Sequence, residues 1–334
     1  AYFPLLTAGP TGLYMNFADS RQNSLRKPLP TLFWLAETYG LADVAWAEHQ
    51  VLKEQVSKPH HIIWYVPEPS SGATLPLDNY FESSVPVAVS RSAWDDPEAL
   101  FLAMKGGYNQ VNHGHLDLGN FEFDALGNRW ARDLGSDNYN LPGYWDKKKG
   151  GKRWQYYRLN SESHNVPLVD GQGQDPNAKA KILRVGATDA GAFLVVDLSS
   201  AYPDSTERVI RGGKTIADRR GAGIQDEFTL TRPVPLLWGM TTDAEIMIMP
   251  DGHAVLLQNG ERLHVTLTGP PGAHFSVESA ERTGKEHANR GVRRLVVRVP
   301  AGETDVRLSL CLRPTWGDQG PVPLPEVVPL ADWE

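Results

Sequence analysis

Residues 109–133 read NQVNHGHLDLGNFEFDALGNRWARD, and the tripeptide Ser163-His164-Asn165 follows further along the chain. Within the stretch, His113 and His115 are two positions apart. Alternate side chains of a β-strand point to the same face, so a strand here would place both imidazole rings together. Asp133 ends the stretch, and His164 adds a third histidine beyond it. The pattern predicts that separate strands meet around a polar cluster.

The residue types of this cluster suit a metal ion. His115, Asp133 and His164 would give Zn²⁺ two nitrogens and one oxygen, and would leave one position for water or another ligand. A metal that joins three separated segments would fix their register, so a structural role is as good an interpretation as a catalytic one. A His-x-His pair is common by chance, however, and ordinary core or hydrogen-bonded histidines are the alternative interpretation.

The rest of the sequence predicts helices first and strands afterwards. Residues 30–39 and 42–56 are predicted as helices, because Pro30 suits a first turn, Gly40 suits a helix end and apolar residues recur near helical spacing. From about residue 80, short apolar runs alternate with turn signals, which is typical of antiparallel sheets. The predicted strands are 85–91, 98–104, 119–124, 182–186, 192–198, 226–231, 236–241, 245–249, 254–258, 262–267, 273–278, 292–299 and 304–312.

These patterns predict a mainly β fold, a large antiparallel β-sandwich preceded by a short α-helical segment. We divide the chain into a helical segment, residues 1–75, and a β-sandwich domain, residues 76–334. A Pro- and Ser-rich linker is predicted at residues 67–79. Residues 13–19 are predicted as a short strand that leads to an exposed Asp19, and the Pro-rich residues 314–334 are predicted to extend along the surface.

Composition narrows the classes of function. The net charge of −7 argues against a nucleic-acid partner. No apolar run reaches the length of about eighteen residues that a membrane helix needs, so we expect no membrane partner. The single cysteine, Cys311, excludes an internal disulfide framework and is interpreted as a small core residue.

A basic loop lies between Asp133 and His164. Its five cations, in an otherwise acidic chain, are Lys147, Lys148, Lys149, Lys152 and Arg153. Cations pair with carboxylates or sulfates, and the nearby aromatic rings could stack on sugar faces, so the loop could hold an anionic sugar. A solvated surface loop is the alternative interpretation. The predicted substrate-binding residues are Asn112, Trp94, Lys147, Lys148 and Arg153.

Six blocks of the sequence resemble the heparinase II/III-like family of polysaccharide lyases. They are Arg91-Ser92-Ala93-Trp94, Lys105-Gly106-Gly107, residues 113–121, residues 130–135, Tyr157-Arg158 and Ser163-His164-Asn165. Their order and spacing match those of the family over this part of the chain. The resemblance implies an N-terminal α/α toroid followed by a two-sheet β-sandwich, with the two predicted helices as the last portion of the toroid.

The resemblance also implies roles for the cluster. His115, Asp133 and His164 would be the ligands of a structural zinc ion, and His113 would be a catalytic residue that faces the cleft near the scissile bond. The implied reaction is β-elimination on a uronic acid, in a heparan sulfate-like, heparin-like or alginate polymer. His113 and Asn112 are candidates for neutralising the uronate carboxylate, and His113 could instead act as the base.

The proton-transferring part of the implied site is not found in this sequence. In the family, the catalytic Tyr comes from toroid helices upstream of the His-x-His motif, and this chain begins too late to contain them. Tyr2 and Tyr14 are the only early candidates, and neither lies in a matching motif. We therefore expect an upstream toroid domain, on the same or a separate chain, and a periplasmic or secreted protein; a homodimer is left open. The alternatives are a non-catalytic, zinc-stabilised module that binds acidic glycans and an unrelated metal-dependent hydrolase.

Overall fold

The computed structural model describes residues 1–70, 75–317 and 320–333. The helices of the N-terminal region are α1 (Phe3–Leu6), α2 (Thr31–Tyr39), α3 (Ala42–Glu54) and α4 (His60–Ile63). The strands that follow are β1 (Asp78–Phe81), β2 (Val87–Arg91), β3 (Phe101–Lys105), β4 (Gly107–Tyr108), β5 (Phe121–Ala125), β6 (Asn128–Ala131), β7 (Pro167–Val169), β8 (Lys179–Thr188), β9 (Gly191–Asp197), β10 (Thr206–Ile216), β11 (Gly221–Leu230), β12 (Leu236–Thr242), β13 (Glu245–Ile248), β14 (Ala254–Gln258), β15 (Glu261–Thr268), β16 (His274–Ser279), β17 (Arg293–Val299) and β18 (Asp305–Pro314).

Helices α2 and α3 confirm the two helices that the sequence predicts. Helix α3 buries Val44, Ala45 and Ala47 in a small apolar cluster that also contains Leu32 and Ala36 of α2. The cluster is too small to stabilise the pair alone, and Leu5 and Leu75 complete it from outside the two helices. No helix in the described ranges is both long enough and apolar enough to span a membrane.

The strands form three antiparallel sheets. One has nine strands in the order β13-β14-β15-β18-β11-β10-β9-β8-β4, another has five in the order β1-β2-β3-β5-β6, and the third has four in the order β16-β17-β12-β7. The five- and four-stranded sheets are joined near β6 and β12, where Arg132 N–H donates to Thr241 O at 3.0 Å. Apolar side chains from all three sheets share one buried core, which confirms the predicted β-sandwich.

A buried ion pair connects the nine-stranded sheet to the region of the predicted cluster. Arg211 on β10 binds Asp226 on β11 through two hydrogen bonds, of 2.7 and 2.8 Å, and both side chains are fully buried. The same guanidinium donates through Nη1 to Gly119 O at 3.0 Å and to Asn165 O at 2.6 Å. Because Gly119 follows the His-x-His motif and Asn165 follows His164, this one side chain fixes both segments against the sheet.

Residues 6–26, which we call the N-terminal segment, pack on the five-stranded sheet. Arg91 Nη2 donates to the carbonyls of Leu6 and Ala8, each at 2.9 Å. Asn16 N–H donates to Glu122 Oε1 at 3.0 Å, and Asn16 Nδ2 donates to Asp133 O at 3.1 Å. Burial outweighs the nearby guanidinium of Arg129 and raises the pKa of Glu122 to about 7. The segment is therefore attached to the sandwich by buried polar contacts.

The predicted strand at the two histidines and the predicted linker at 67–79 differ from the structure. Strand β4 ends at Tyr108, and residues 109–120 form a loop that leads to β5. The prediction that both histidines share a strand face is therefore wrong. The predicted linker at 67–79 ends in β1, which begins at Asp78. Residues 71–74 of that linker lie outside the described residues, and the division of the chain at residue 75 stays a prediction.

Strand β10 was missed because Gly212-Gly213 interrupts its apolar pattern. A Cβ atom at Gly212 would lie 2.4 Å from the side chain of Leu330 and 2.6 Å from that of Trp333. Glycine is needed here because the C-terminal tail packs directly on the sheet. Val322, Leu330 and Trp333 are buried by this packing. These three apolar residues belong to the interior, contrary to the prediction that the tail lies along the surface, whereas Leu324 is 55% exposed.

Candidate metal centre and adjoining cleft

The loop of residues 109–120 directs its two histidines differently. His113 has a φ of +59°, in the left-handed region. A Cβ atom at Gly114 would lie 2.6 Å from Asn109 O and 3.0 Å from Val111 O, so the tight turn requires glycine. As a result, the His115 side chain is fully buried, whereas the His113 side chain is 42% exposed. The separate placement of the two histidines comes from a turn and not from strand alternation.

His115, Asp133 and His164 form a compact, fully buried group. One potential ligand atom from each residue lies within 4.8 Å of the others. His164 Nδ1 is 2.9 Å from Asp133 Oδ2, and the two imidazole rings are 5.2 Å apart. His115 Nδ1 and His164 Nε2 are buried and have no hydrogen-bond partner. Two unpartnered imidazole nitrogens beside a carboxylate are a donor set that fits a metal such as Zn²⁺.

Neighbouring groups keep this donor set in the forms that a metal requires. Asp133 Oδ1 accepts from Gly135 N–H at 2.6 Å, and Oδ2 accepts from Asn120 Nδ2 at 2.7 Å. Burial alone would raise the pKa of Asp133, but His164, His115 and the hydrogen bond from Gly135 N–H together hold that pKa below its ordinary value. Burial lowers the pKa of His115 despite the hydrogen bond to Asp19. An ionised carboxylate and a neutral imidazole are therefore favoured.

Asp19 lies at the centre of the site, although the sequence predicts it to be exposed. Its side chain is only 3% exposed. Burial alone would raise its pKa, but hydrogen bonds from His115 and Tyr144 and the charge of Arg153 together hold it well below the ordinary value. Its contacts are to residues about a hundred positions away, so no local spacing marks it. A buried anion therefore stands between the two histidines.

Aromatic rings surround His113 on its exposed side. Its ring is 6.0 Å from that of Tyr139 and 5.2 Å from that of Trp145, and these two rings are 5.1 Å apart. The Tyr139 hydroxyl is 3.4 Å from His113 Nδ1. Tyr139 and Trp145 are 45% and 49% exposed, so with His113 they make three exposed rings. The buried ring of Tyr144 contacts both Tyr139 and Trp145. The three exposed rings form a surface suited to stacking against a flat ligand.

An open cleft of about 590 Å³ lies beside the loop that contains His113, although none of the three rings lines it. Ala18, Ser20, Val111 and Asn112, the neighbours of Asp19 and His113 in sequence, contribute to its lining. Exposed Arg21 also lines the cleft. The pKa of Tyr139 is raised, chiefly by burial, and the charge of Arg21 acts in the opposite direction. Arg21 was not predicted, because an isolated arginine in a mixed sequence gives no signal.

The structure places the predicted substrate-binding residues in different environments, some exposed and some engaged in internal packing. Asn112 and Lys148 are exposed, as a sugar contact requires. Lys147 is partly buried and donates Nζ to Val111 O at 2.8 Å, so it supports the loop that contains His113. Trp94 donates Nε1 to Leu75 O at 3.0 Å, and its ring packs under the guanidinium of Arg91 at 3.5 Å. Trp94 thus serves the packing of the N-terminal region.

Arg153 requires a correction. Its side chain is fully buried, so its guanidinium is not offered to a sugar at the surface. Nη2 donates to Gly114 O at 2.9 Å and lies 3.3 Å from Asp19 Oδ1, while Nη1 donates to Tyr144 O at 3.1 Å. Only part of the basic loop is exposed to solvent or to a sugar, because Arg153 points inward and supports the loop and Asp19. Lys149 forms an ion pair with Asp175 at 2.8 Å.

Two of the three comparisons with known proteins found similar proteins. The sequence profile of the heparinase II/III-like C-terminal domain matches residues 90–309, more than half of the chain. Curated protein sequences give no match. Among solved structures, a heparinase III gene product is 16% identical with a TM-score of 0.70, over 93% of this chain and 45% of that one.

Two further solved structures are similar. Heparan sulfate lyase HepC from Pedobacter heparinus is 14% identical with a TM-score of 0.71, over 95% of this chain and 46% of that one. A heparinase III is 14% identical with a TM-score of 0.68, over 94% of this chain and 47% of that one. At these identities the likeness shows the fold alone. The chain spans less than half the length of each of these structures.

Proposed function

The chain belongs to the heparinase II/III-like family, and from this membership we propose that it supplies one half of a polysaccharide lyase site. The proposed substrate is a polymer that contains uronic acid, and the proposed reaction is β-elimination. The observation that carries the proposal is the placement of His113. Its imidazole is partly exposed between aromatic rings beside an open cleft, and a buried carboxylate holds it from behind.

β-Elimination needs groups of the kinds found here. A base removes the C5 proton of the uronate, the electron pair forms a C4=C5 double bond, the C4–O bond breaks, and the leaving oxygen takes up a proton. Neutralising the uronate carboxylate stabilises the charge that develops during proton removal. We assign this neutralisation to His113 and Asn112, with Arg21 supplying further positive charge at the cleft. His113 could instead be the base, because its Nε2 is free of the contact to Asp19.

We propose Zn²⁺ as the metal of the buried group and a structural role for it. His115, Asp133 and His164 would hold the ion, and the two unpartnered nitrogens support this assignment. A bound ion would cross-link three parts of the chain, which are the His-x-His loop, the end of β6 and the segment before β7. Because His113 is two residues from His115, the cross-link would also keep His113 at the cleft.

The surface chemistry favours an anionic sugar polymer. The rings of Tyr139 and Trp145 are exposed beside His113 and could stack on sugar faces, while Arg21 and Lys148 offer exposed positive charge. One of the similar structures is named as a heparan sulfate lyase. We therefore propose a heparan sulfate-like polymer first and alginate second.

We assign the missing half of the site to an upstream α/α toroid domain that would supply the catalytic Tyr. The chain spans less than half of the solved structures that it resembles. Its helical region also presents many exposed apolar side chains that a neighbouring domain could cover: Trp34, Tyr39, Val56, Ile62 and Ile63. A periplasmic or secreted location belongs to the same proposal.

The test uses the full-length protein with heparan sulfate and with alginate oligomers. Lyase action forms an unsaturated uronate, which is followed by its ultraviolet absorbance. His113→Ala should abolish the signal, whereas His274→Ala, which changes an exposed histidine on β16, should not. Failure of the wild-type protein to form unsaturated product from any uronic-acid polymer would refute the proposal. Binding of acidic glycans without elimination would favour the second candidate, a zinc-stabilised binding module.

A further inference from the structure

A single buried carboxylate, that of Asp19, joins the histidine at the cleft to a histidine of the metal-binding group. Asp19 Oδ2 accepts from His113 Nδ1 at 2.9 Å, and Oδ1 accepts from His115 Nε2 at 2.9 Å. Tyr144 donates its hydroxyl to Oδ1 at 2.6 Å, and Arg153 Nη2 lies 3.3 Å from the same oxygen. Both carboxylate oxygens are therefore used, each by a different histidine.

We propose that Asp19 is a positioning residue that sets the ring orientation and the tautomer of His113 and His115 together; the inference rests on the proposed function. An ionised carboxylate only accepts hydrogen bonds, so the ring nitrogen that faces it carries the proton. His113 then keeps Nε2 unprotonated, on the side away from Asp19. Of the two roles proposed for His113, this tautomer fits that of the base, and the neutralisation of the uronate carboxylate then rests with Asn112 and Arg21. His115 keeps Nδ1 unprotonated, and this is the buried nitrogen without a partner. A metal ligand needs that unprotonated form.

The backbone holds Asp19 in place independently of any ligand. Asp19 N–H donates to His113 O at 3.3 Å, and Ser136 N–H donates to Ser20 O at 3.4 Å. Arg21 pairs with Gly135 as an antiparallel bridge, next to the turn that follows Asp133. The N-terminal segment is thereby tied to both sides of the metal-binding group. Residue 19 lies outside the range 90–309 that the family profile matches, so a segment beyond the matched domain completes the site.

A purely structural role for Asp19 makes a different prediction. In that case its replacement would lower stability but would leave the proton positions on the two imidazoles unchanged. Glu48 provides a matched control, because it is a fully buried carboxylate that binds the His61 ring in the helical region. Glu48→Gln should lower the melting temperature without affecting His113 or His115.

The experiment uses the full-length zinc-loaded protein, Asp19→Asn and Glu48→Gln. Imidazole ¹⁵N shifts report which nitrogen of each ring is protonated, and a chromogenic chelator reports the rate of zinc release. In the wild type we expect the proton of His113 on Nδ1 and that of His115 on Nε2. Asp19→Asn should change these positions, speed zinc release about 10–100-fold and lower kcat by about tenfold or more. KM should change by less than about threefold, because Asp19 does not touch the substrate.

The result that overturns the inference is a wild-type His113 with its proton on Nε2, or an Asp19→Asn protein with unchanged tautomers and unchanged zinc release. The wild-type measurement stands even if Asp19→Asn does not fold. Neither readout needs turnover. A wild-type protein that lacks lyase activity but shows the expected tautomers would therefore refute the proposed function and support the role of Asp19.

Discussion

Removal of the proposed metal from the His115, Asp133 and His164 group should destabilise the protein by an amount that follows from the geometry of the group. Without an ion, His115 Nδ1 and His164 Nε2 are buried nitrogens that have no partner. A buried polar group left unsatisfied costs about 1–3 kcal/mol. Two such groups should lower the free energy of unfolding by about 2–6 kcal/mol relative to the metal-bound protein.

The expected change in melting temperature follows from the size of the chain. Unfolding entropy is about 2.1 cal/mol/K per residue, so for a chain of 334 residues 1 kcal/mol corresponds to about 1.4 °C. Chelation should therefore lower the melting temperature by about 3–8 °C. Thermal unfolding followed by circular dichroism, with and without a chelator, measures this shift. Elemental analysis of the purified protein identifies the metal and its stoichiometry.

Two variants separate metal loss from other effects of the chelator. His164→Ala removes a ligand, so its melting temperature should already be low and should not respond to chelation. His274→Ala leaves the group intact and should respond like the wild type. If the purified protein contains no metal, and neither chelator nor added zinc moves its melting temperature, the metal assignment is refuted. The three residues would then be a hydrogen-bonded group of the core.

Three further predictions concern single side chains. His113→Ala should lower turnover by about 100-fold or more but the free energy of unfolding by less than about 1 kcal/mol, because the side chain is 42% exposed; steady-state kinetics and urea unfolding measure the two. Folding raises the pKa of Glu122 from 4.5 to about 7, so the stability that it contributes is full below about pH 4.5 and is lost as the pH rises through about 7. This loss is on the order of 3 kcal/mol, and urea unfolding should show a flatter pH dependence for Glu122→Gln. Asp226→Asn leaves the Arg211 guanidinium buried without its carboxylate and should cost about 3–5 kcal/mol; a change below about 1 kcal/mol would contradict this.

Features with a local pattern could be predicted from the sequence. Helices α2 and α3 and most of the strands could be predicted from apolar periodicity and turn residues, because these patterns lie within short runs of consecutive residues. His115, Asp133 and His164 could be grouped because their residue types match one known chemistry. The resemblance to a lyase family then supplied separate roles for His113 and His115.

Features that depend on distant contacts could not be predicted. Asp19 looks like a surface residue, because its four partners lie between 94 and 134 positions away. Arg153 looks like a substrate contact, because four lysines shortly precede it in sequence. Its side chain nevertheless lies in the interior, where it binds carbonyl and carboxylate oxygens. Strand β10 was missed for a similar reason. Its Gly212 makes room for Leu330 and Trp333, more than a hundred residues downstream.

The attachment of the N-terminal segment to the sandwich has a consequence for the order in which the molecule assembles. During synthesis Asp19 emerges well before His113, His115, Tyr144 and Arg153, and it cannot reach its native place until the last of them has been made. Closing so long a loop adds little to the entropic cost, since each doubling of length costs only about 0.6 kcal/mol. The native contacts of Asp19 are instead delayed because its partners are synthesised later. A nascent chain can pair β2 with β3 while the two histidines still lack the carboxylate that orients them, so the site is expected to mature only after much of the sandwich exists.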